Sequence, residues 1–233
     1  MVADIVAAGL KELGIEPDAR SDMRFEMYYR LLTETNKVMN LTAITEEDEV
    51  ARLHFLDCAA LLAAPEPPRG AVVDVGSGAG FPGLPLKILR PDLDLTLLDS
   101  QKKRVGFLAD TCAALGFDGV ECLHARAEES TKLRERFDCA LSRAVARLNL
   151  LCELCLPLVR VGGVFLAMKG PEPQEEIDEA ARAVSVLGGQ LGKTFWYDIP
   201  GTDVRHSIVT VRKIAPTPEK YPRRFAKMQK QPL

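Results

Sequence analysis

The 233-residue chain predicts an α/β protein in which a parallel sheet flanked by helices follows a helical cap. Three observations carry that expectation. Apolar residues recur at three- and four-residue spacings through the first 64 positions. Pro65, Pro67, Pro68 and Gly70 then break the pattern, and beyond them short apolar runs alternate with helical stripes. With 47% hydrophobic and 27% charged residues the chain can bury a core, which excludes a disordered or fibrous polymer.

Helical spacing runs through residues 2–13, 23–38 and 46–62, giving a cap over 1–64. Strands follow at 71–75, 93–98, 119–123, 137–141 and 161–168, each short, apolar and bounded by turn residues. Val105, Leu108, Cys112 and Leu115 form the stripe of a helix lying on this sheet. After a helix near 175–187 come strands at 193–199 and 206–214. The link between them, 200–205, is too short for a helical crossover, so this last pair is expected to be antiparallel. The sheet unit spans 65–214, and 215–233 reads as a basic C-terminal tail.

The formal charge of −3 hides an asymmetry. From residue 205 onward eight basic side chains (Arg205, Arg212, Lys213, Lys220, Arg223, Arg224, Lys227, Lys230) face one acid, Glu219. Clustered Lys and Arg suit a phosphate backbone, although a solvated tail has the same composition. The six cysteines lie mostly in apolar runs, as small buried hydrophobes do in a reducing compartment, and no disulfide framework is expected. Cys152 and Cys155 form a CxxC among leucines with no second pair at zinc spacing, so neither a metal nor a redox site is expected. Asp4 precedes any basic residue, and no run reaches about 18 apolar residues. These features point to a cytoplasmic chain with no membrane contact, and the lack of an exposed apolar stripe favours a monomer.

The chemistry concentrates after the first strand, in Val72-Val73-Asp74-Val75-Gly76-Ser77-Gly78-Ala79-Gly80-Phe81-Pro82-Gly83. A glycine-rich turn at a strand's C-terminal end lets a ligand approach the backbone, and the helix that follows offers N–H groups to an anion. Gly78 to Gly83 fits GxGxxG, so a nicotinamide dinucleotide has to be weighed. Asp74 argues against it: a carboxylate two residues before the first glycine repels a diphosphate but suits an ammonium or sulfonium, both of which S-adenosylmethionine carries. Asp99, at the end of the second strand, can accept both ribose hydroxyls, or can cap the helix beginning near Gln101. Ala127 and Glu128 lie where an adenine edge is read, and a capping role suits Glu128 equally.

No Asp/Asn-Pro-Pro-aromatic segment follows the fourth strand, which disfavours exocyclic amines as methyl acceptors. Ser142-Arg143-Ala144 stands there instead. No Cys follows a Pro in an exposed loop to activate a pyrimidine ring. A ring nitrogen with a free lone pair, such as guanine N7, needs alignment alone and no general base. Arg143 reads as a positioning residue for substrate or cofactor, or as a structural ion pair. His54, on a cap helix, reads as packed or capping.

The chain resembles the ribosomal RNA small-subunit methyltransferase G family, also called glucose-inhibited division protein B. Six segments in order carry the resemblance: Asn36 to Ile44, Asp74 to Pro85, Leu97-Leu98-Asp99-Ser100 with Lys103-Arg104, Ser142-Arg143-Ala144, Lys169-Gly170, and Lys220-Tyr221-Pro222-Arg223-Arg224 to Leu233. The resemblance implies a Rossmann-like class I methyltransferase sheet of seven strands with the last antiparallel. It also implies methyl transfer from S-adenosylmethionine to guanine N7 in 16S rRNA, free or within the small ribosomal subunit, near the decoding site. The family's cofactor contacts fall on Gly76, Phe81, Ala127, Glu128 and Arg143, to which the general methyltransferase pattern adds Asp74, Gly78 and Asp99. RNA contacts are expected at Lys169, Arg205, Arg223 and Arg224. The last ten residues depart from the family, with Phe225-Ala226-Lys227-Met228 where a glycine-proline pair is usual. A small-molecule methyltransferase, a nicotinamide-dependent reductase and a non-catalytic RNA-binding assembly factor are the alternatives.

Overall fold

The computed structural model describes residues 1–233. Strands β1 (Ala71–Val75), β2 (Asp94–Asp99), β3 (Glu121–His124), β4 (Phe137–Arg143) and β5 (Val159–Lys169) form a parallel sheet in the order β3-β2-β1-β4-β5. The chain runs outward from β1 to β3 and then returns to β4 on β1's other side, with Asp74 level with Leu97 and Leu141. A crevice therefore opens beyond the C-terminal ends of β1 and β4, where open α/β sheets bind ligands.

Antiparallel strands complete the sheet, as expected, but in three pieces. Both β6 (Gly189–Leu191) and β7 (Phe195–Asp198) pair with β8 (Arg205–Lys213), which pairs with β5. The register slips by one residue between Leu191↔Val211 and Phe195↔Ile208, and Gly192 N donates to Thr210 O at 2.8 Å inside the slip. The anticipated sixth strand is thus longer than 193–199 and interrupted by a bulge. Gly188, Gly189 and Gly192 leave its first half without the side-chain alternation that marks a strand.

Helices α1 (Val2–Glu12), α2 (Ser21–Met39), α3 (Glu47–Val50), a π turn at Ala51–Leu56 and α4 (Asp57–Ala59) form the cap. It shares one core with the sheet: Val6, Phe25, Tyr28 and Phe55 belong to the same apolar cluster as Leu84, Leu97 and Leu141. The other face of the sheet is covered by α7 (Leu148–Cys155) and α8 (Gln174–Val186), while α5 (Gly83–Leu89) and α6 (Lys102–Ala114) follow β1 and β2. Helix α7 carries Leu148, Leu151, Cys152 and Cys155 at i, i+3, i+4 and i+7 and is buried on most sides, with Asn149, Glu153 and Leu154 covered as well. All six cysteines are unpaired. The C-terminal residues are packed too: α9 (Phe225–Lys230) presses Met228, at 0% exposure, into the second core.

Candidate active site

The turn after β1 is built from backbone conformations that glycine tolerates best: Gly76, Gly78 and Gly80 have φ of 75°, 59° and 104°. Its N–H groups, expected to await an anion, are already used apart from that of Ala79. Gly76 N and Ser77 N donate to Leu98 O, Gly78 N to Asp99 Oδ2 at 2.9 Å, and Gly80 N and Phe81 N to Ser77 O. Gly83 N donates to Asp74 Oδ2 at 2.9 Å, and Tyr28 of the cap donates its hydroxyl to Ala79 O at 2.6 Å. A diphosphate needs such donors free. Only Ala79 N–H among the turn's donors makes no hydrogen bond, so the turn offers a diphosphate a single free donor, which disfavours the dinucleotide reading.

Asp74 does not face the crevice directly, contrary to expectation. Its side chain is fully buried beneath the turn, with Oδ1 left without a partner, and burial pushes its pKa up to about 7. It ties strand to turn through its bond from Gly83 N.

Two cavities meet above the turn. The first, about 370 Å³, is lined by Gly76, Gly78, Phe81, Asp99, Arg104 and Arg143 among others. The second, about 160 Å³, is lined by Val75, Leu98, Asp99, Ala127, Glu128 and Leu154, with Phe225 closing it. Gly76, Asp99, Ser100 and Val145 belong to both. Asp99 is 4% exposed; Oδ1 accepts from Gln101 N at 2.8 Å and Oδ2 from Gly78 N, so it both caps α6 and stands at the junction. A carboxylate oxygen has a further lone pair for a hydroxyl. Polar chamber, carboxylate and apolar chamber follow the order of amino acid, ribose and base in S-adenosylmethionine. A Cβ on Gly76 would be strained at φ of 75° and would lie 2.6 Å from Val145 Cγ2, forcing that side chain on the cavity wall to shift.

Arg143, at the end of β4, is the hub of the floor. Nη1 donates to Asp57 Oδ2 at 2.9 Å and to Leu53 O at 3.1 Å, Nη2 donates to His54 Nδ1 at 3.0 Å, and the guanidinium lies 4.8 Å over the Phe81 ring. Because Arg143 can only donate, His54 Nδ1 accepts, and Nε2–H donates to Thr42 Oγ1 at 2.9 Å. Burial and then Arg143 lower the His54 pKa to about 4, so the ring is neutral. Asp57 Oδ1 also accepts from Tyr197 Oη at 2.7 Å and His206 Nδ1 at 2.8 Å. Burial acts to raise its pKa, but these donors outweigh it and hold the carboxyl below its ordinary value.

His54, Asp57, Tyr197 and His206 were not singled out as functional from the sequence. The available signal was the i, i+3 spacing of His54 and Asp57, which places both on one helical face, here across the junction of the π turn and α4.

A third cavity of about 720 Å³ adjoins the first across His54, Arg143, Ala144 and Val145, and extends to Lys169, Glu176 and His206. Ala144, between the two, has φ of 57°, a strained conformation of the kind found at functional sites.

The expected RNA-side residues separate. Lys169 donates to Ala146 O and Glu176 Oε2 at 2.9 and 2.7 Å, with 10% of its side chain exposed. Arg223 is held by Glu153, itself 1% exposed. Arg212 pairs with Glu66, and Lys213 is buried against Glu135. Arg205 keeps 61% exposure and only a 3.8 Å approach to Asp198, and Arg224 is exposed. Three of the eight basic residues counted beyond 204 are thus neutralised within the fold.

Such a crevice on such a sheet defines a class I S-adenosylmethionine-dependent methyltransferase. The fold is shared with TrmN from Thermus thermophilus (TM-score 0.52, 21% identity, 67% of this chain and 48% of that one). It is shared also with P. horikoshii TYW2 in complex with MeSAdo (TM-score 0.55, 16% identity, 68% and 62%). Residues 22–196 match the family model described as rRNA small subunit methyltransferase G, and the chain belongs to that family. Relatives named ribosomal RNA small subunit methyltransferase G align end to end. The one from Alkaliphilus oremlandii is 45% identical over 99% of this chain and 98% of its own, and that from Pelotomaculum thermopropionicum 46% over 100% and 99%. No helix is long and apolar enough to cross a membrane.

Proposed function

We propose that the chain transfers the methyl group of S-adenosylmethionine to N7 of one guanine in the 16S rRNA of the small ribosomal subunit, near the decoding site. The observation that carries this reading is the junction of a bipartite donor crevice with a larger cavity at His54, Arg143, Ala144 and Val145. A base turned out of its RNA fits beside the donor there.

When bound, the donor supplies an electrophilic methyl group on a sulfonium. Guanine N7 attacks with a lone pair and loses no proton, so the site has alignment to perform and no general base to supply. His54 is no such base: its Nδ1 lone pair is taken by Arg143. In this reading Asp99 accepts the ribose hydroxyls, and Ala127 and Glu128 meet the adenine edge. Gly76, Gly78 and Phe81 form the donor's bed, Asp74 braces it from below, and Arg143 attracts the donor carboxylate. Lys169 orients Glu176 at the rim of the acceptor cavity, and Arg205 and Arg224 meet RNA phosphates. Arg223 serves the fold through Glu153. The reading describes a cytoplasmic enzyme acting as a monomer.

The test is tritium transfer from labelled S-adenosylmethionine into small-subunit RNA. Label should appear with the natural RNA and vanish when the target guanine is replaced; equal labelling without that guanine would end the proposal.

A further inference from the structure

We propose that Phe225 is a wall of the adenine site, and that residues 217–233 form a strap belonging to the donor crevice rather than a loose basic tail. The inference rests on the crevice being a S-adenosylmethionine site.

Asp99 marks the ribose, so the base must lie in the smaller chamber on the side away from Arg143. The walls contributed there by the sheet and α7 are aliphatic: Val75, Leu98, Ala125 and Leu154. Phe225 is the one aromatic residue lining that chamber and the one residue there that comes from beyond position 154. It is half-buried at the start of α9. A purine presents two flat, polarisable faces, for which an aromatic ring is a better surface than an aliphatic one.

The strap holds Phe225 in place through contacts on both sides of it. Two residues earlier, Arg223 gives Glu153 three hydrogen bonds, from its backbone N and Nε at 2.8 Å and from Nη2 at 2.5 Å. Its Nη1 donates to Gln231 O at 2.9 Å, closing α9 back onto the same anchor. Three residues later, Met228 is at 0% exposure in the core. Upstream, Arg134 donates to Tyr221 O at 2.8 Å and to Thr217 O, and Lys213 Nζ donates to Thr217 Oγ1 at 2.6 Å. A buried ion pair costs desolvation and is weak evidence for stability, but it fixes a position. Here the position fixed is that of an aromatic ring lining a chamber whose other apolar walls are aliphatic.

The experiment is calorimetry of the full chain with S-adenosylhomocysteine and, separately, with methylthioadenosine, which lacks the amino-acid half. Phe225→Ala should weaken both by about tenfold, because loss of a ring-on-ring contact and its buried area acts on the base alone. Phe225→Trp should bind within about twofold of the parent. Arg223→Ala, which keeps Phe225 but releases the strap, should weaken both ligands in the same direction. Thermal melts establish that each variant is folded, and Phe225→Leu, the smallest disturbance, replaces Phe225→Ala should the latter not fold. A folded Phe225→Ala or Phe225→Leu chain that binds both ligands as tightly as the parent overturns the strap while leaving the crevice intact. A parent chain giving no heat with S-adenosylhomocysteine overturns the crevice and the strap together.

Discussion

Arg143 Nη1 lies 2.9 Å from Asp57 Oδ2, and the aspartate is 2% exposed, so each charge is compensated chiefly by the other deep under the crevice. Removing one partner strands the second. Asp57→Ala should cost about 3–5 kcal/mol in urea-induced unfolding. Asp57→Asn keeps acceptor and shape and should cost less. Arg143→Lys keeps a charge but loses the two-pronged donation and the flat stack on Phe81, so it should weaken S-adenosylhomocysteine binding more than it lowers the melting temperature.

Asp74 gives the fold an unusual pH dependence. Burial raises its pKa from the ordinary 3.8 to about 7, so between those values the folded chain holds a proton that the unfolded chain releases. Stability from this group is complete below about pH 4 and is lost as pH rises through about 7. Asp74→Asn retains an acceptor for Gly83 N–H and cannot titrate. Subtracting the variant's unfolding free energy from the parent's should leave a difference that falls by a few kcal/mol between pH 4 and 7.5. His54 has the opposite sign, since its pKa of about 4 lies below the ordinary 6.5 and its contribution is lost as pH falls; it is common to both chains and cancels. A pH-independent difference would refute the buried-proton account.

The strand ends that carry Asp74, Asp99 and Arg143 were legible because a parallel sheet writes itself as apolar runs with polar punctuation. Asp99 indeed ends β2, and Arg143 ends β4. What composition hid was pairing. Arg223 and Arg224 are neighbours of identical charge in the sequence, yet one is consumed by Glu153, 70 residues away, and the other is free. The His54–Arg143–Asp57–His206 network joins three distant segments, and no local pattern announces it. The N–H groups of Gly76, Ser77 and Gly78 looked available for the same reason, since their acceptors at Leu98 and Asp99 come from another strand.

The glycines of the turn should separate stability from binding. Gly80 has φ of 104°, and a Cβ there would meet Leu84 Cδ1 at 2.5 Å and the Tyr28 hydroxyl at 2.7 Å, both on fully buried side chains. Gly80→Ala should cost about 2–4 kcal/mol through strain and overpacking. At Gly78, with φ of 59°, the nearest atom to such a Cβ is Gly76 O at 3.9 Å. Gly78→Ala should therefore cost only the left-handed backbone penalty, about 1 kcal/mol, while its methyl group crowds the cavity and weakens S-adenosylhomocysteine. Urea melts and calorimetry on the two variants decide the matter, and the reverse ranking would show the turn to be misassigned.

Salt dependence should sort the basic residues by what they touch. RNA binding that neutralises phosphates falls with log salt by about 0.7–0.9 per contact, so Arg205→Ala and Arg224→Ala should each flatten that slope by a little less than one. Neither should alter the melting temperature, because the first side chain is 61% exposed and the second makes no ion pair. Arg223→Ala should do the opposite. Glu153, at 1% exposure, would be left as a buried charge without its partner, with a loss of about 3–5 kcal/mol, and the salt slope should stay where it was. Filter binding across a salt series, run beside thermal melts of the same variants, separates the two groups. A flattened slope for Arg223→Ala at unchanged stability would move that residue from the fold to the RNA surface.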